Sequence, residues 1–174
     1  SDGRGPFAGP PGLMAGQPSM SLADILKLKG FTTDSFMYDL VSFDFEHWLQ
    51  KQEIKGLQLV YHPDERSTID GVSISKNKLV LTLLENVVSN VYIYDFNDTW
   101  SKVKLAMPEN GSMSVSSANQ NSDVIFINQE SFVAPDTLFK VDVNKKNITA
   151  IKSIPARFDA SNIVVEQFQA SSKD

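Results

Sequence analysis

The chain has 174 residues, of which 41% are hydrophobic and 21% are charged, a balance that allows one ordinary soluble domain with its own core. The formal net charge of −5 argues against a nucleic-acid surface, and no apolar run approaches the ~20 residues that span a bilayer, so we expect no nucleic-acid and no membrane partner. Zero cysteines exclude disulfides and thiolate metal sites, which fits either a cytoplasmic or a periplasmic location.

Residues 1–20 differ from the rest of the chain because they contain five of the nine glycines and four of the eight prolines. Such a stretch buries too little apolar surface to offset its conformational entropy, so we interpret it as a linker or an added leader. A Pro-rich ligand for a partner is the alternative, but no PxxP framework is present. The following run, 21–28, predicts a short helix with Ser21 as its N-cap, although a strand is also compatible with it.

From Leu40 onward, short apolar and β-branched segments predict strands, and their pattern repeats. The predicted strands of two successive copies are 79–85, 90–96 and 99–108, followed by 124–130, 137–143 and 147–155. Equivalent residues keep step between the copies: Glu85 and Glu130 are 45 residues apart, Asp95 and Asp142 are 47 apart, and Pro108 and Pro155 are 47 apart. The interval from the aspartate to the proline is 13 residues in both copies.

A degraded third copy precedes these two, with predicted strands at 40–44 and 57–63. Its interval from Asp44 to Pro63 is 19 residues instead of 13, so six extra residues lie between the strands. The run 46–53 occupies this insertion and predicts one or two helical turns.

A period of roughly 40–50 residues with four short strands per unit is typical of β-propeller blades. Each blade is expected to begin with an inner strand rich in small and hydroxyl residues, at 69–75 and at 111–117. We therefore predict an all-β partial propeller of consecutive four-stranded antiparallel blades, with a β-sandwich as the alternative. The predicted division is a leader with a short helix at 1–30, a partial blade at 31–65, full blades at 66–110 and 111–155, and a linker strand at 156–174.

Several segments of these blades resemble the late propeller blades of the prolyl oligopeptidase family of serine peptidases: 42–45, 79–87, 131–138, 155–159 and 164–167. The resemblance covers about 36–174, is strongest at the C-terminal end and does not reach 1–30. The run 157–174 is similar to the segment that joins the propeller to the hydrolase domain in that family. These segments are signatures of a scaffold and not catalytic motifs.

The resemblance implies a seven-bladed propeller that caps an α/β-hydrolase domain, whose serine, aspartate and histidine perform the chemistry. It also implies that a narrow channel or a hinged opening admits short peptides and excludes folded proteins, with cleavage typically after proline. The chain has two to three blades and stops before a hydrolase domain, so we expect a non-catalytic part of a serine oligopeptidase. The expected partners are the hydrolase domain of the parent chain and short peptides as parent substrates. A self-standing β-blade module that binds a peptide or a protein is the alternative.

The residues themselves offer no credible catalyst, because the nucleophile elbow Gly-x-Ser-x-Gly does not occur. The nearest match, Gly-Ser-Met-Ser at 111–114, lacks the second glycine and falls in a predicted strand. His47 and His62 are expected at the surface. A metal site formed by His62, Asp64 and Glu65 matches no specific ligand spacing. We therefore expect no catalytic, cofactor-binding or metal-binding residue and no cofactor.

The remaining features have structural explanations. The aromatic residues that alternate along one hairpin are expected to pack between blades and not to stack on bases: Tyr92, Tyr94, Phe96 and Trp100. Asp95 and Asp142 recur at equivalent positions, which favours a repeated turn-forming aspartate over a catalytic pair. The sequons at Asn97, Asn110 and Asn147 matter only in a glycosylating pathway. Because a partial propeller leaves blade edges open, we expect a homodimer, or an N-terminal segment that covers an exposed face.

Overall fold

Ten strands and one short helix form the described part of the chain, which comprises residues 39–109, 111–156, 158–166, 168 and 170 of a computed structural model. These residues all fall in the second of the two units into which the chain divides, Tyr38–Asp174. The predicted leader and the predicted helix at 21–28 lie outside the described residues.

The elements follow the predicted pattern closely. Their bounds are β1 Leu40–Ser42, α1 Phe45–Lys51, β2 Gln58–Tyr61, β3 Ser67–Ile74, β4 Leu79–Glu85, β5 Val88–Asn97, β6 Thr99–Lys104, β7 Gly111–Ser117, β8 Val124–Ser131, β9 Thr137–Asp142 and β10 Asn147–Ser153. One four-stranded antiparallel sheet has the order β3-β4-β5-β6 and is named blade A. The other has the order β7-β8-β9-β10 and is named blade B, while β1 and β2 form a two-stranded sheet.

The insertion between β1 and β2 forms α1, and the side chain of Asp44 defines where this helix begins. The Oδ1 atom of Asp44 accepts a hydrogen bond from the backbone N–H of His47 at 2.9 Å, which satisfies a donor that the first helical turn leaves free. The helix ends at Gln52, whose φ of 57° is left-handed and whose N–H donates to the carbonyl of Trp48. The predicted helical turns in this insertion are therefore confirmed.

The central strands of blade A are apolar on both faces because the sheet is packed on both sides. In β4, Val80 belongs to the core shared with blade B, whereas Leu81 and Leu83 belong to the core shared with β1 and β2. All three side chains are fully buried. Burial on both faces explains why the β4 sequence is a near-continuous apolar run and not an alternating one.

Two apolar clusters hold the sheets together. The cluster between the two blades contains the buried residues Val80, Val91, Ile93, Leu105, Met113, Ile125, Ile127, Phe139, Val141 and Val143. The cluster between blade A and the β1–β2 sheet contains Tyr61, Leu81, Leu83 and Tyr94. A sheet with a further sheet on each face is the arrangement of stacked propeller blades, whereas a sandwich has only two layers. The chain is therefore an all-β partial propeller of consecutive four-stranded antiparallel blades, and the sandwich alternative is wrong.

A polar contact also joins the two blades. The carboxylate of Asp123, in the β7–β8 loop, accepts hydrogen bonds from the backbone N and from Nδ2 of Asn77 at 3.0 and 2.9 Å. It also accepts bonds from Asn144 Nδ2 at 2.7 Å and from Ser75 Oγ at 3.4 Å. Partial desolvation raises the pKa of Asp123, but the hydrogen bonds outweigh it and hold this pKa below its ordinary value. Asp123 thus fixes three turns of the two blades to one another.

The antiparallel strand order gives the blades two ends with different loops. The polar end consists of the loops 75–78, 98, 118–123 and 143–146. The apolar end consists of the loops 62–66, 86–87, 106–109 and 132–136 together with the described residues of 154–170. At the apolar end, the N–H of Asn86 donates to the carbonyl of Arg66 at 2.8 Å, and the N–H of Ile154 donates to the carbonyl of Asp136 at 3.1 Å. Backbone hydrogen bonds thus fix neighbouring loops of the apolar end to each other.

Candidate docking face

Large apolar side chains lie open at the apolar end. Phe132 is 92% exposed, Phe168 is 84% exposed and Val87 is 73% exposed. Further exposed apolar residues of this end are Val88, Ile154, Phe158, Ile163, Val164 and Val165. The loops of the polar end carry mainly Ser, Asn, Asp and Lys. Because clustered apolar side chains in the open mark an interaction surface, the apolar end is the candidate functional face of this protein.

Part of this surface lines a cleft of about 530 Å³ between the ends of the two blades. Its apolar lining residues are Leu84, Val87, Val88, Phe132 and Val165. Glu130 and Asp136 add carboxylates to the same lining. The cleft is therefore suited to an apolar side chain that has a basic group beside it.

Gly111 starts β7 and lines this cleft. Because it has no side chain, β7 can lie close to β8 at this point. A Cβ atom added at Gly111 would lie 2.7 Å from the carbonyl oxygen of Glu130 and 2.9 Å from Cγ of Gln129. Gln129 has little freedom to move away, since it is buried and its Nε2 donates to the carbonyl of Pro108 at 2.8 Å. The absence of a side chain at position 111 is thus required by packing.

The β4–β5 turn places a valine in an unusual backbone conformation. The two turn residues, Asn86 and Val87, have φ values of 49° and 59°, which is what a two-residue type I′ hairpin turn requires. Asparagine tolerates this region, but a β-branched residue in it is uncommon because its Cβ substituents crowd the backbone. Val87 thus lies at the tip of its hairpin, in a strained conformation and beside the cleft.

The two ends of the blades differ in charge. The described loops of the apolar end contain Asp64, Glu65, Glu109, Asp136, Asp159 and Glu166 together with Arg66. The loops of the polar end contain Lys76, Lys78, Lys145 and Lys146 together with Asp98 and Asp123. Hydrogen bonds from the Arg66 N–H and from Ser67 hold the pKa of Asp64 below its ordinary value, and Ser161 has the same effect on Asp159. The apolar end is therefore complementary to a partner whose apolar patch is bordered by basic groups.

The two histidines and the Gly-Ser-Met-Ser segment considered for catalysis lie apart in the fold, whereas the residues considered for metal binding share the loop 62–66. His62 Nδ1 lies 2.6 Å from Asp39 Oδ1, and the His62 side chain is half-exposed. His47 Nε2 lies 3.8 Å from Glu53 Oε2 at the end of the α1 insertion. Within the described ranges, no group of three or more His, Cys, Asp or Glu side chains is placed to hold a metal ion. The Gly-Ser-Met-Ser segment forms the start of β7 and not the strand-to-helix turn on which a nucleophilic serine is presented.

The aromatic residues of the β5–β6 hairpin are mostly packing residues, as predicted. Tyr94 is 2% exposed, and Tyr92 and Trp100 pack against its cluster. Burial raises the pKa of Tyr94 to about 12. Burial and a 2.8 Å hydrogen bond to Glu85 also raise the pKa of Tyr92, so both hydroxyls stay protonated at neutral pH. Phe96 departs from the prediction, because it is 52% exposed, with its ring 5.1 Å from the Trp100 ring between centroids.

The repeated aspartates turn out to differ in role. Asp142 forms a turn as predicted, because its Oδ1 accepts the N–H groups of Asn144 and Lys145 at 3.1 and 3.0 Å. The prediction is wrong for Asp95, whose Oδ2 lies 2.5 Å from Lys78 Nζ in an ion pair. The reason is that β5 continues beyond Asp95 to Asn97 and the turn comes later in the chain.

The sequence prediction missed the apolar end and, with it, Val87. A signal was present, since the run Glu85-Asn-Val-Val88 places a valine where a two-residue hairpin favours glycine.

Of the sequons, Asn97 ends β5 and Asn147 begins β10, both exposed, and Asn110 lies outside the described residues. None of the helices in the described ranges is long and apolar enough to cross a membrane.

Comparison with known proteins connects this fold to a family. A family model described as the prolyl oligopeptidase N-terminal β-propeller domain matches residues 29–153. An uncharacterized peptidase of Sinorhizobium fredii is 38% identical over 136 residues, and one of Rickettsia prowazekii is 27% identical over 138 residues. Each of these matches covers 78% of this chain and 19% of the relative. The chain thus spans about a fifth of the length of these curated relatives.

Solved structures agree with this result at the level of the fold. A post-proline cleaving enzyme from Rickettsia typhi is similar with a TM-score of 0.64 and 24% identity, over 78% of this chain and 20% of that one. Oligopeptidase B from Trypanosoma brucei is similar with a TM-score of 0.53 and 16% identity, over 60% of this chain and 16% of that one. The stacked blades and these similarities define a β-propeller domain. Because the family model matches most of its length, the chain belongs to the prolyl oligopeptidase family and comes from the N-terminal β-propeller domain of such a peptidase.

Proposed function

We propose that this chain is a non-catalytic part of a serine oligopeptidase, in which it covers the active site of an α/β-hydrolase domain and filters peptide substrates by size. The family match supports the propeller part of this proposal. The share of the relatives that the chain covers, 19%, is consistent with a longer parent that holds the catalytic residues elsewhere. The similarity to a post-proline cleaving enzyme makes cleavage after proline the specificity to test first.

The observation that carries the proposal is the contrast between the two ends of the blades. A cover needs one surface that meets the catalytic domain and another that faces water. The exposed Phe132, Val87 and Phe168 lie at the same end of the blades, whereas lysine and asparagine side chains dominate the loops of the other end. Ile74 and Phe96, beside the polar-end loops, are also 52% exposed. The four most exposed large apolar side chains of the described residues nevertheless all lie at the apolar end, as expected of a domain that docks through one end.

Two full blades are too few to enclose a channel, so the filter requires further blades from the parent. We propose that 31–65 is a partial blade with an inserted helical turn, that 66–110 and 111–155 are the next two blades, and that 156–174 leads toward the hydrolase domain. The described residues of 154–170 line clefts at the apolar end, which supports a course along the face that we propose to meet that domain.

The first test is to sequence the source gene on both sides of this segment. Further blades upstream and a downstream Gly-x-Ser-x-Gly, followed by an aspartate and a histidine, support the proposal. A stop codon directly after Asp174 would refute it and leave a small β-blade module whose peptide or protein partner must be sought.

The filter itself is tested with the full-length parent enzyme. Its kcat/KM is measured on proline-containing peptides of increasing length and on an unfolded protein that contains the same bonds. A size filter predicts cleavage of the short peptides and a steep loss of kcat/KM beyond a limiting length. If the unfolded protein and the short peptides are cleaved equally well, the propeller does not act as a filter.

A further inference from the structure

Val87 combines a strained backbone conformation with an exposed apolar side chain. The hairpin needs a positive φ at this position, and glycine or asparagine supplies it without crowding. Packing against the described residues does not offset this backbone strain, because the Val87 side chain is 73% exposed. Turn geometry and core packing in the described part of the chain therefore give no reason for a valine. Strain of this kind is often found where a residue has a role in binding.

We propose that Val87 is a docking anchor that, with Val88 and Phe132, contacts an apolar patch bordered by basic side chains on the hydrolase domain. This inference rests on the proposed function, since it names the surface through which the propeller would meet that domain. Val87 lies between two clefts of the apolar end, of about 530 and 560 Å³, and lines both of them. A partner can therefore surround the Val87 side chain without rearranging the blades.

The charges around Val87 define the chemistry of that partner. Glu65 and Arg66 line the cleft on one side of Val87, and Glu130 and Asp136 line the cleft on the other, so the two linings carry three carboxylates and one guanidinium. Carboxylates around an apolar centre attract a surface that carries Lys or Arg at its rim and repel an acidic one. A second copy of this chain presents the same carboxylates, so its own apolar end is a poor partner. Charge complementarity thus favours a basic-rimmed surface over self-association through this end.

The anchor is tested by calorimetric titration of the hydrolase domain, produced separately from the same gene and shown to be folded by its cleavage of a short chromogenic peptide, into the 174-residue chain. The test variant is Val87→Gly, and the matched control is Lys146→Gly. Lys146 also has a left-handed φ, 55°, but lies in the β9–β10 turn at the polar end. Both changes relieve a left-handed L-residue, so each is expected to raise the melting temperature of the chain by about 2–4 °C. A variant that melts higher has kept its fold, so any loss of binding reflects the lost contact.

Val87→Gly is expected to weaken the Kd about tenfold, because a buried valine side chain contributes roughly that much to binding. Lys146→Gly is expected to bind as the unchanged chain does. Phe132→Ala is expected to weaken binding without changing the melting temperature, since Phe132 is exposed in the free chain. If the unchanged chain binds and Val87→Gly binds equally tightly, the anchor is refuted and the proposed function stands. If the unchanged chain does not bind, the proposed docking itself fails, and this inference fails with it.

Discussion

Gly71 and Gly111 lie in the first strands of the two blades but differ in the space around them. A Cβ at Gly71 would lie 3.7 Å from Thr82, an ordinary contact, whereas a Cβ at Gly111 would lie 2.7 Å from a backbone oxygen. We expect Gly111→Ala to lower the free energy of unfolding by about 1–3 kcal/mol, because β7 must move away from β8. Gly71→Ala is expected to change it by less than about 1 kcal/mol. Urea denaturation measures both, and equal losses would contradict the packing argument.

Tyr92 and Tyr94 lie close together in β5, and their hydroxyl groups have different surroundings. The Tyr92 hydroxyl donates to Glu85 Oε2 at 2.8 Å, whereas the buried Tyr94 hydroxyl has no hydrogen-bond partner among the described residues. We expect Tyr92→Phe to lower the free energy of unfolding by about 1 kcal/mol, since it leaves Glu85 with one donor fewer. Tyr94→Phe is expected to leave stability unchanged or to raise it by up to about 1 kcal/mol.

The same pair of variants has a decisive alternative outcome. Both changes remove one hydroxyl from a tyrosine of the same strand, so differences in their effects report on hydrogen bonding and not on ring packing. If Tyr94→Phe destabilises the chain as much as Tyr92→Phe, the Tyr94 hydroxyl has a partner outside the described residues. Thermal denaturation monitored by circular dichroism separates the two cases.

At the level of secondary structure, the strands were predictable because their packing leaves a strong signal. The predicted bounds 79–85 and 111–117 coincide with β4 and β7, and 124–130 falls one residue short of β8. A strand packed on both faces needs an apolar residue at nearly every position, and the short turns between strands keep the spacing of each copy nearly constant. The largest misses are at strand ends, where 99–108 was predicted and β6 ends at Lys104.

The docking face could not be predicted in the same way, because it depends on which loops meet in space. Val87 and Phe132 are 45 residues apart in the sequence, yet they line one cleft. The same limit applies to Asp123, whose bond to Asn77 joins residues 46 positions apart. The sequence repeat shows that blades are stacked, but it does not show which side chains face each other across them. That information lies in the long-range packing.

The hydrogen bonds of Asp123 lead to a prediction for the contact between the blades. The pKa of Asp123 is lower in the folded chain than its ordinary value of 3.8, so this carboxylate stabilises the fold above about pH 4 and loses that effect as the pH falls through the folded pKa. We expect Asp123→Asn to lower the melting temperature at pH 7 by about 2–4 °C, because an amide cannot accept all of these bonds. The difference from the unchanged chain should shrink toward pH 3.

A suitable control for Asp123 is Asp159, a carboxylate that accepts a local bond from the N–H of Ser161 at 2.9 Å. Its pKa is also lowered, but this contact joins residues two positions apart and does not hold the blades together. We expect Asp159→Asn to have a smaller effect on the melting temperature at pH 7. Equal losses of melting temperature would show that Asp123 stabilises the chain no more by joining the blades than Asp159 does by its local hydrogen bond.

At the level of the whole molecule, the two blades differ in how completely they are covered. Blade A has apolar clusters on both faces, one shared with blade B and one with β1 and β2. Blade B shares one face with blade A, and its other face has no sheet partner among the described residues. Val124, Phe126 and Leu138 lie on strands of that face and remain partly exposed. In a closed propeller such a face is covered by the next blade.

This open face of blade B leads to the prediction that the isolated chain self-associates through it. We expect a dimer at micromolar concentrations in analytical ultracentrifugation, since covering a partly apolar sheet face removes nonpolar surface from water. Phe126→Lys should shift the chain toward monomer, because a charge at this position resists burial. Gln120→Lys adds the same charge in an exposed loop of the polar end and should leave the dimer intact. A chain that is monomeric at all concentrations, with residues 1–30 disordered by NMR, would show that the open face needs neither a second copy nor the N-terminal segment.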